Sequence, residues 1–573
     1  MFSTPIKRRI LAAAAASTLL LSLAACSTDQ SDPTASNSDG SATSNDATKD
    51  APAGGTLTFA IAGGNLENGH MDPHSSQLDV SAYVNRNVFD SLVALDPNSG
   101  EIKPWLAKSW TVSEDGLTYT FQLRDDVKFS DGEPFNAAAA VRNFEHITAE
   151  ETASTQAKDM IGGALFAGAK ATGDYELTLT LTAPFAPLLN NLSTAFVGFY
   201  SPKVLDSKTQ DEIKAGGPDV TVGTGPFILT DYQPKQELDY KANPDYAWGP
   251  DIKNSPSTSL SDGAPKLDGL KIRIVPEESA RVGALQSGDA QVAVDLTPTG
   301  TSQLSGDQVN VAPSPGMPYS MYLNWSHGVF KDEKVRQAFQ QGFDLDAAVS
   351  AAYGSDNRRA WSILSPSTPN SYDKSLENAW PYDEKKANDL LDQAGWTERD
   401  SDGYRTKDGK RLSVDWLSWL PFADENQALV NFMTDDLKKI GFELKHEAIE
   451  GPEYQARYAD ADGKMILDFD ATDWSFASLD ADILRQHLHT DGYQNAETIS
   501  DPALDKLLET AQASTDSAER EDAYKQVQQW NVKHVGIIPL VLSQFTTASV
   551  PAVDGLAYDA YGWPLFAGVT LSK

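Results

Sequence analysis

Apolar and polar residues alternate along parts of the first half of the chain, which predicts half-buried strands. In residues 117–123 the aromatic Tyr119 and Phe121 share one face, whereas threonines occupy the other. Apolar residues resume at 127–129, so we predict a hairpin here with both aromatic rings in a core. Residues 177–181 repeat the two-residue period and predict another strand.

The second half of the chain changes to an α/β pattern. Residues 412–416 predict a strand, and residues 426–440 carry apolar residues at helical spacing. Gly441 follows where a helix C-terminus favours glycine, and a second strand starts at 442–444. This βαβ unit predicts an open sheet, whose ligands bind beyond the carboxyl ends of its strands. Residues 416–424 are therefore a candidate binding segment.

The N-terminus has the features of an export signal. Three basic residues at 7–9 precede an uncharged apolar run at 10–25, which is shorter than the ~20 residues of a membrane span. We predict a signal peptide over residues 1–25. The run ends at Cys26, and residues 23–26 resemble the bacterial lipobox, which implies lipidation of Cys26. Because Cys26 is the only cysteine, the chain has no intramolecular disulfide and no thiol metal site.

Residues 27–53 consist almost entirely of Ser, Thr, Asp, Asn, Ala, Gly and Pro. Such a segment buries too little apolar area to offset its ordering entropy. We predict that residues 26–53 form a lipidated, disordered linker, with an end-to-end distance of about 30 Å. The globular part begins near residue 54.

Composition and charge narrow the function. The net charge of −35 disfavours nucleic acid as a partner, and 40% hydrophobic residues indicate a globular body. The chain has no Gly-x-Ser-x-Gly and no His-Glu-x-x-His motif, so a secreted hydrolase is the weaker alternative and we expect no enzyme activity. The histidine pairs 70/74 and 487/489 lack a metal-site pattern, so no metal and no cofactor are predicted.

Several ordered motifs resemble one known family. Residues 106–144 contain Leu-Ala-x-x-Trp, Asp-Gly, Leu-Arg, Val-Lys-Phe and Asp-Gly-x-Pro in sequence. Met-Asp-Pro-His at 71–74, Gly-Thr-Gly-Pro-Phe at 223–227 and Asn-Pro-Asp-Tyr at 243–246 follow in the expected order. Over residues 54–571 the chain is similar to the peptide/opine/nickel class of ABC-importer solute-binding proteins, known as family 5.

The resemblance implies an α/β, two-lobed periplasmic-binding-protein-like fold with a hinge between its lobes. Lobe one is expected over residues 54–312, with an inserted subdomain at about 96–224. Lobe two is expected over residues 313–540, and residues 541–573 are expected to return to lobe one.

The resemblance also implies a function. The chain is expected to be an extracytoplasmic lipoprotein that binds a small hydrophilic solute, first of all a peptide, and delivers it to ABC permease subunits. The alternative ligand is a nickel–chelator complex or an opine. We expect a monomer, anchored to the outer face of the cell membrane through Cys26.

Residues 470–484 resemble the loop with which the family grips its ligand. Trp474 matches the tryptophan of the motif, and peptide-binding members have an amine-binding carboxylate three residues later. Ala477 stands there in this chain, so either Asp480 supplies the carboxylate or the ligand has no free α-amine. The predicted ligand-binding residues are Trp474, Phe476, Ala477, Asp480, Trp416, Trp419, Tyr319 and Trp361.

Overall fold

The computed structural model describes residues 54–255, 258–259, 263–354, 358–420, 422–460 and 465–572. The predicted signal peptide, Cys26 and the predicted linker lie outside these residues. Within the described ranges, no helix combines the length and the apolar character that a membrane span requires.

Lobe one is the part of the molecule built on a seven-stranded mixed sheet. Thr56–Ile61 lies near the centre of this sheet, parallel to Gly269–Ile274 on one side and to Val292–Val294 on the other. The strands follow the order Gln308–Pro313, Gln544–Ser549, Val292–Val294, Thr56–Ile61, Gly269–Ile274, Glu237–Ala242, Phe227–Gln233.

Lobe one also contains a four-stranded antiparallel sheet, in the order Ala107–Val112, Thr118–Leu123, Glu176–Leu181, Phe166–Gly173. The strand predicted at 177–181 is confirmed, and the two aromatic residues of Thr118–Leu123 are buried in the core of lobe one. The predicted hairpin with residues 127–129 is wrong, because Thr118–Leu123 pairs with the preceding strand. The turn between these two strands uses Gly116, whose φ of +70° favours glycine.

Lobe two is the part built on a five-stranded sheet, in the order Glu443–Ile449, Ser413–Trp419, Ala471–Ala477, Gly316–Leu323, Ile537–Val541. Ser413–Trp419, the helix Asp424–Ile440 and Glu443–Ile449 form the predicted βαβ unit, with its two strands parallel. Gly441 ends the helix with a φ of +93°. The α/β, two-lobed fold predicted from the sequence is confirmed.

The chain passes between the two sheets twice. The first crossing is residues 314–315, between Gln308–Pro313 and Gly316–Leu323, and the second is residues 542–543. The crossings lie side by side, since the Ser314 amide donates to the Ser543 carbonyl over 2.9 Å. The lobe and subdomain boundaries expected from the resemblance stay predictions.

The remaining elements cover these sheets or form short ribbons. The helices of lobe one are Asp79–Asn85, Ala137–Thr148, Gln156–Met160, Leu188–Asn191, Pro202–Ser207, Gln210–Ala215, Glu278–Ser287 and Pro298–Thr301. Those of lobe two include Glu333–Gln341, Leu345–Tyr353, Glu384–Gln393, Gly451–Tyr458, Ile483–Leu488, Pro502–Ala513 and Ser517–His534. Single 3₁₀ turns are Glu150–Thr152, Gly163–Leu165, Ala195–Val197, Gly328–Lys331 and Lys374–Leu376. The ribbons are Val93–Leu95 with Ile102–Pro104, Lys253–Ser255 with Thr258–Ser259, Glu398–Arg399 with Arg405–Lys407 and Lys410–Arg411, Val553–Asp554 with Thr570–Leu571, and Ala557–Tyr558 with Pro564–Leu565.

A candidate solute-binding cavity between the lobes

A cavity of about 1100 Å³ lies between the two lobes. Neutral amide side chains line it on both sides: Asn65, Asn68, Gln77, Gln156 and Asn191 from lobe one, and Gln455, Gln486 and Gln494 from lobe two. Five carboxylates also line it, namely Asp79, Asp159, Glu450, Asp480 and Asp482. The cavity therefore combines many uncharged hydrogen-bonding groups with negative charge.

Aromatic residues of lobe two form one wall of the cavity. Trp419 ends the strand Ser413–Trp419, and Trp474 lies on the neighbouring strand, with ring centroids 5.7 Å apart in an edge-to-face arrangement. Tyr454 is fully buried behind them, stacked on Trp419 at 5.7 Å and edge-to-face with Trp474 at 5.3 Å. We call Trp419, Tyr454 and Trp474 the aromatic wall.

The aromatic wall depends on a glycine at the start of the helix Gly451–Tyr458. A Cβ atom at Gly451 would lie 2.7 Å from Cζ2 of Trp419, so only glycine lets this ring lie against the helix. A hydrogen bond between the hydroxyls of Tyr454 and Thr472, which are 2.6 Å apart, holds the Tyr454 ring in place. Trp419 and Trp474 remain half-buried and present part of their surface to the cavity.

The loop after Trp474 enters lobe one rather than remaining free in the cavity. Leu479 is buried in the hydrophobic core of lobe one, although it belongs to the chain segment of lobe two. Gly316 faces Ala477 across the sheet, and a Cβ atom there would lie 2.3 Å from the Phe476 carbonyl oxygen. This close approach holds the loop in one position.

Asp480 lines the cavity, but the protein already satisfies its carboxylate. Arg520 donates to Oδ1 over 2.7 Å, and the backbone amide of Asp482 donates to the same oxygen over 2.9 Å. Asn190 of lobe one donates to Oδ2 over 3.0 Å. That Asp480 holds a ligand amine stays a prediction, although this buried carboxylate already has a guanidinium partner.

A second set of polar contacts joins the lobes at Asp159 of lobe one. Its carboxylate accepts from Arg485 over 3.2 Å and from Gln486 over 2.7 Å. Arg485 also donates to Asp482 over 3.0 Å, so one guanidinium serves two carboxylates. Burial raises the pKa of Asp482 to about 7, with Arg485 acting in the opposite direction. These contacts close one side of the cavity.

Asp79 is the acidic group on the opposite wall. It starts the helix Asp79–Asn85 in lobe one and lines the cavity. Burial raises its pKa to about 7, and the carboxylates of Asp295 and Asp559 add to this effect. His70 lies on the same wall, and burial lowers its pKa, which favours a neutral imidazole.

The predicted site residues divide into two groups. The structure brings Trp474, Phe476, Ala477, Trp419 and Asp480 to the cavity. Trp416 is a correction, since it is fully buried in lobe two, where its indole donates to Asp473 over 2.6 Å. Tyr319 packs against the core of lobe two, and Trp361 lies under the Arg359 guanidinium at 4.5 Å, so neither lines the cavity.

Sequence reasoning missed Asp79, Glu450 and Tyr454. No motif marked them, and the only available signal was their position: Asp79 begins a helix, and the other two follow the strand Glu443–Ile449. In open α/β sheets, ligands bind beyond the carboxyl ends of strands, so the residues after Glu443–Ile449 were the next candidates.

One group outside the cavity has the composition of a metal site. Asp72, His74 and His146 are buried and offer one ligand atom each within 4.8 Å of one another. Every one of these side chains has a protein partner, however: His74 bonds His146 at 2.8 Å and the Gly198 carbonyl at 2.7 Å, and Gln210 donates to Asp72 at 2.8 Å. Burial and the neighbouring imidazole lower the pKa of His74 to about 4. The group is accounted for as a hydrogen-bond network within lobe one.

Two lobes, each built on its own sheet and joined by two short crossings beside a large cavity, define a solute-binding protein of the periplasmic type. The family model described as bacterial extracellular solute-binding proteins, family 5, middle part, matches residues 101–496. This chain belongs to that family.

Individual relatives cover nearly the whole chain. Di/tripeptide-binding protein 1 of Pseudomonas aeruginosa is 27% identical over 515 residues, which is 85% of this chain and 89% of the relative. The nickel-binding periplasmic protein of Escherichia coli is 27% identical over 508 residues, 86% of this chain and 90% of the relative. The oligopeptide-binding protein AppA of Bacillus subtilis, solved with a nonapeptide, has a similar fold, with a TM-score of 0.75 at 21% identity over 91% of this chain and 100% of AppA.

Proposed function

We propose that this protein is the extracytoplasmic receptor of an ABC importer, which captures a peptide between its two lobes and delivers it to the permease. It acts as a binder rather than as an enzyme, and as a monomer. The observation that carries the proposal is the cavity of about 1100 Å³, with its aromatic wall and its amide lining.

The lining favours a peptide over a single small metabolite. The volume of about 1100 Å³ slightly exceeds the range of about 300–1,000 Å³ for small-molecule sites, so it suits several residues. Asn and Gln side chains carry both donors and acceptors without charge, and these groups complement peptide N–H and C=O groups. The aromatic wall supplies apolar surface for one side chain of the ligand.

The proposal is tested by calorimetry with a tryptic digest of casein. Trp474→Ala removes part of the aromatic wall and should weaken binding about tenfold or more, since an indole buries a large apolar area. Trp361→Ala is the matched control, because this tryptophan lies outside the cavity lining. Equal binding by both variants and the unmodified protein would show that the peptide site lies elsewhere.

Lipid anchoring at Cys26 is part of the proposal. The sequence supports it through the apolar run and the small residues before Cys26. Two or more acyl chains hold a protein firmly on a bilayer, whereas a single chain holds it weakly. Membrane fractionation of Cys26→Ser should find the protein released, and a variant that stays in the membrane fraction would contradict the anchor.

A non-peptide ligand remains the second candidate. Ala477 leaves the usual amine partner absent, and Asp480 is already paired with Arg520. If calorimetry detects no peptide binding, a metal–chelator complex or an opine becomes the ligand to test in the same cavity.

A further inference from the structure

Asp79, which is partly buried, differs from three other carboxylates that line the cavity in having no protein counter-charge. Among the described residues, neither of its oxygens has a hydrogen-bond or ion-pair partner, although the side chain is at most half-exposed. Asp159, Asp480 and Asp482, in contrast, each contact a guanidinium. A carboxylate withdrawn from water without a partner is costly unless it is protonated or a ligand supplies the positive charge.

The groups around Asp79 do not supply that charge. Its acidic neighbours are Asp295 and Asp559, and its aromatic neighbours are Tyr83 and Tyr561. Arg281 is nearby, but it donates to four backbone carbonyls, those of Val275, Pro276, Val294 and Asp295. Arg86 donates to Ser91 and to the Ser193 carbonyl. Arg281 also lowers the pKa of Asp295, and Arg86 lowers that of Asp559, so both guanidiniums offset those two carboxylates and neither forms an ion pair with Asp79.

We propose that the solute carries a positive charge and that Asp79 is its counter-ion in lobe one, an inference that rests on the proposed function. Of the residues that the structure describes, no lysine or arginine lines the cavity. On the opposite side, the half-buried Trp419 and Trp474 line the cavity, and aromatic rings attract organic cations. The ligand class is therefore an organic cation, such as a peptide with a free amine or a basic side chain. Asp79 supplies the carboxylate for the positive charge of the ligand, which the alanine at position 477 cannot supply.

The proposal has a proton signature. Since the pKa of Asp79 is about 7 in this structure, part of the population is protonated at neutral pH. A cation placed beside Asp79 lowers that pKa, so binding releases a proton and strengthens as the pH rises from 5 to 8. A neutral Asp79 that donated a hydrogen bond to an anionic ligand would give the opposite result, with proton uptake and weaker binding at high pH.

The test measures which solutes the full chain retains after gel filtration, with mass spectrometry of the released ligand. Three probes are used: a tryptic casein digest, the same digest with all amines acetylated, and a mixture of spermidine, choline and citrate. The proteins are the unmodified chain, Asp79→Asn, and Asp245→Asn as a control at an exposed aspartate of lobe one outside the lining. Calorimetry in two buffers of different ionisation enthalpy then counts the protons released by the best-retained species.

The unmodified protein and Asp245→Asn should enrich cationic over neutral and acidic species about tenfold to hundredfold, and Asp79→Asn should lose most of this preference. Retention of spermidine or choline alone, with the same dependence on Asp79, supports the inference and overturns the peptide ligand. Equal retention of the acetylated peptides that lack arginine, or proton uptake on binding, overturns the inference and leaves a solute-binding protein. Retention of nothing from all three probes also overturns it.

Discussion

The carboxylates that line the cavity differ in whether the protein neutralises them. On the wall of lobe two, Asp480 and Asp482 are nearly inaccessible and contact Arg520 and Arg485. On the wall of lobe one, Asp159 also contacts Arg485, whereas the partly buried Asp79 has no ion-pair partner among the described residues.

This difference distinguishes carboxylates that stabilise the fold from carboxylates that are available to bind a ligand. A buried carboxylate with a guanidinium partner is part of the scaffold, because removing either member leaves an uncompensated charge. A carboxylate without a partner, facing a cavity, remains available to a ligand. Position in the cavity alone does not distinguish the two cases, and the bonding partners do.

The largest expected effect on stability is at the ion pair between Asp480 and Arg520. Arg520→Met leaves Asp480 buried beside a neutral side chain and should lower the free energy of unfolding by about 3–5 kcal/mol. Urea unfolding followed by circular dichroism measures this loss. The double variant Asp480→Asn/Arg520→Met is the control and should recover most of it. A loss below about 1 kcal/mol in the single variant would mean that water solvates Asp480.

The unpaired carboxylate of Asp79 should make the stability of the protein depend on pH. The folded-state pKa of Asp79, about 7, lies above the ordinary value of 3.8 for an aspartate, so the folded protein keeps a proton that the unfolded chain loses. The resulting stability is full below about pH 4 and is lost as the pH rises through 7. Asp79→Asn should therefore match the unmodified protein at low pH and exceed it by about 1–3 kcal/mol at pH 8.

Unfolding midpoints from pH 4 to 8 measure this difference. Asp245→Asn should follow the unmodified protein throughout. Parallel profiles for Asp79→Asn and the unmodified protein would indicate that Asp79 has an ordinary pKa.

A smaller effect is expected at the contact between the lobes. Asp159→Asn removes the ion pair with Arg485, which keeps Asp482 as a partner, so the closed form should weaken by about 1 kcal/mol. Small-angle scattering without ligand should show a larger radius of gyration. Asp206→Asn is the control, because its ion pair with Arg142 lies within lobe one. Equal radii for both variants would show that this contact does not hold the lobes together.

The smallest effect is expected at Glu450, which lines the cavity but is exposed to solvent. Water screens an exposed carboxylate, so Glu450→Gln should change the affinity for a cationic probe by less than about threefold. Calorimetry with the species best retained by the unmodified protein measures this. A loss of affinity as large as that of Asp79→Asn would indicate that Glu450 of lobe two is the counter-ion of the solute.

The sequence predicted the fold well because its signals are local. The alternation at 177–181, the helical spacing before Gly441 and the ordered family motifs each depend on a few adjacent residues. The predicted hairpin with residues 127–129 was wrong because the turn decides which strand a strand pairs with. The Asp115–Gly116 turn precedes Thr118–Leu123 and pairs it with the earlier strand Ala107–Val112.

The site was only partly predictable. Trp416 and Trp419 differ by an odd number of positions on one strand, so they face opposite sides, and this parity would have placed Trp416 in the core. The role of Asp480, which lies in a loop, depends on Arg520, which lies 40 residues later on the helix Ser517–His534. Asp79 owes its setting to Asp295 and Asp559, which are more than 200 residues away in the sequence. Charge pairing of this kind is set by the tertiary fold.

The most direct test of the account is native mass spectrometry of the protein isolated without denaturation from the cells that produce it. We predict a bound solute that carries a cationic group, present in the unmodified protein and in Asp245→Asn, and lost from both Asp79→Asn and Trp474→Ala. A bound anionic solute, or one that both cavity variants retain unchanged, would contradict a cation-binding cavity between the lobes.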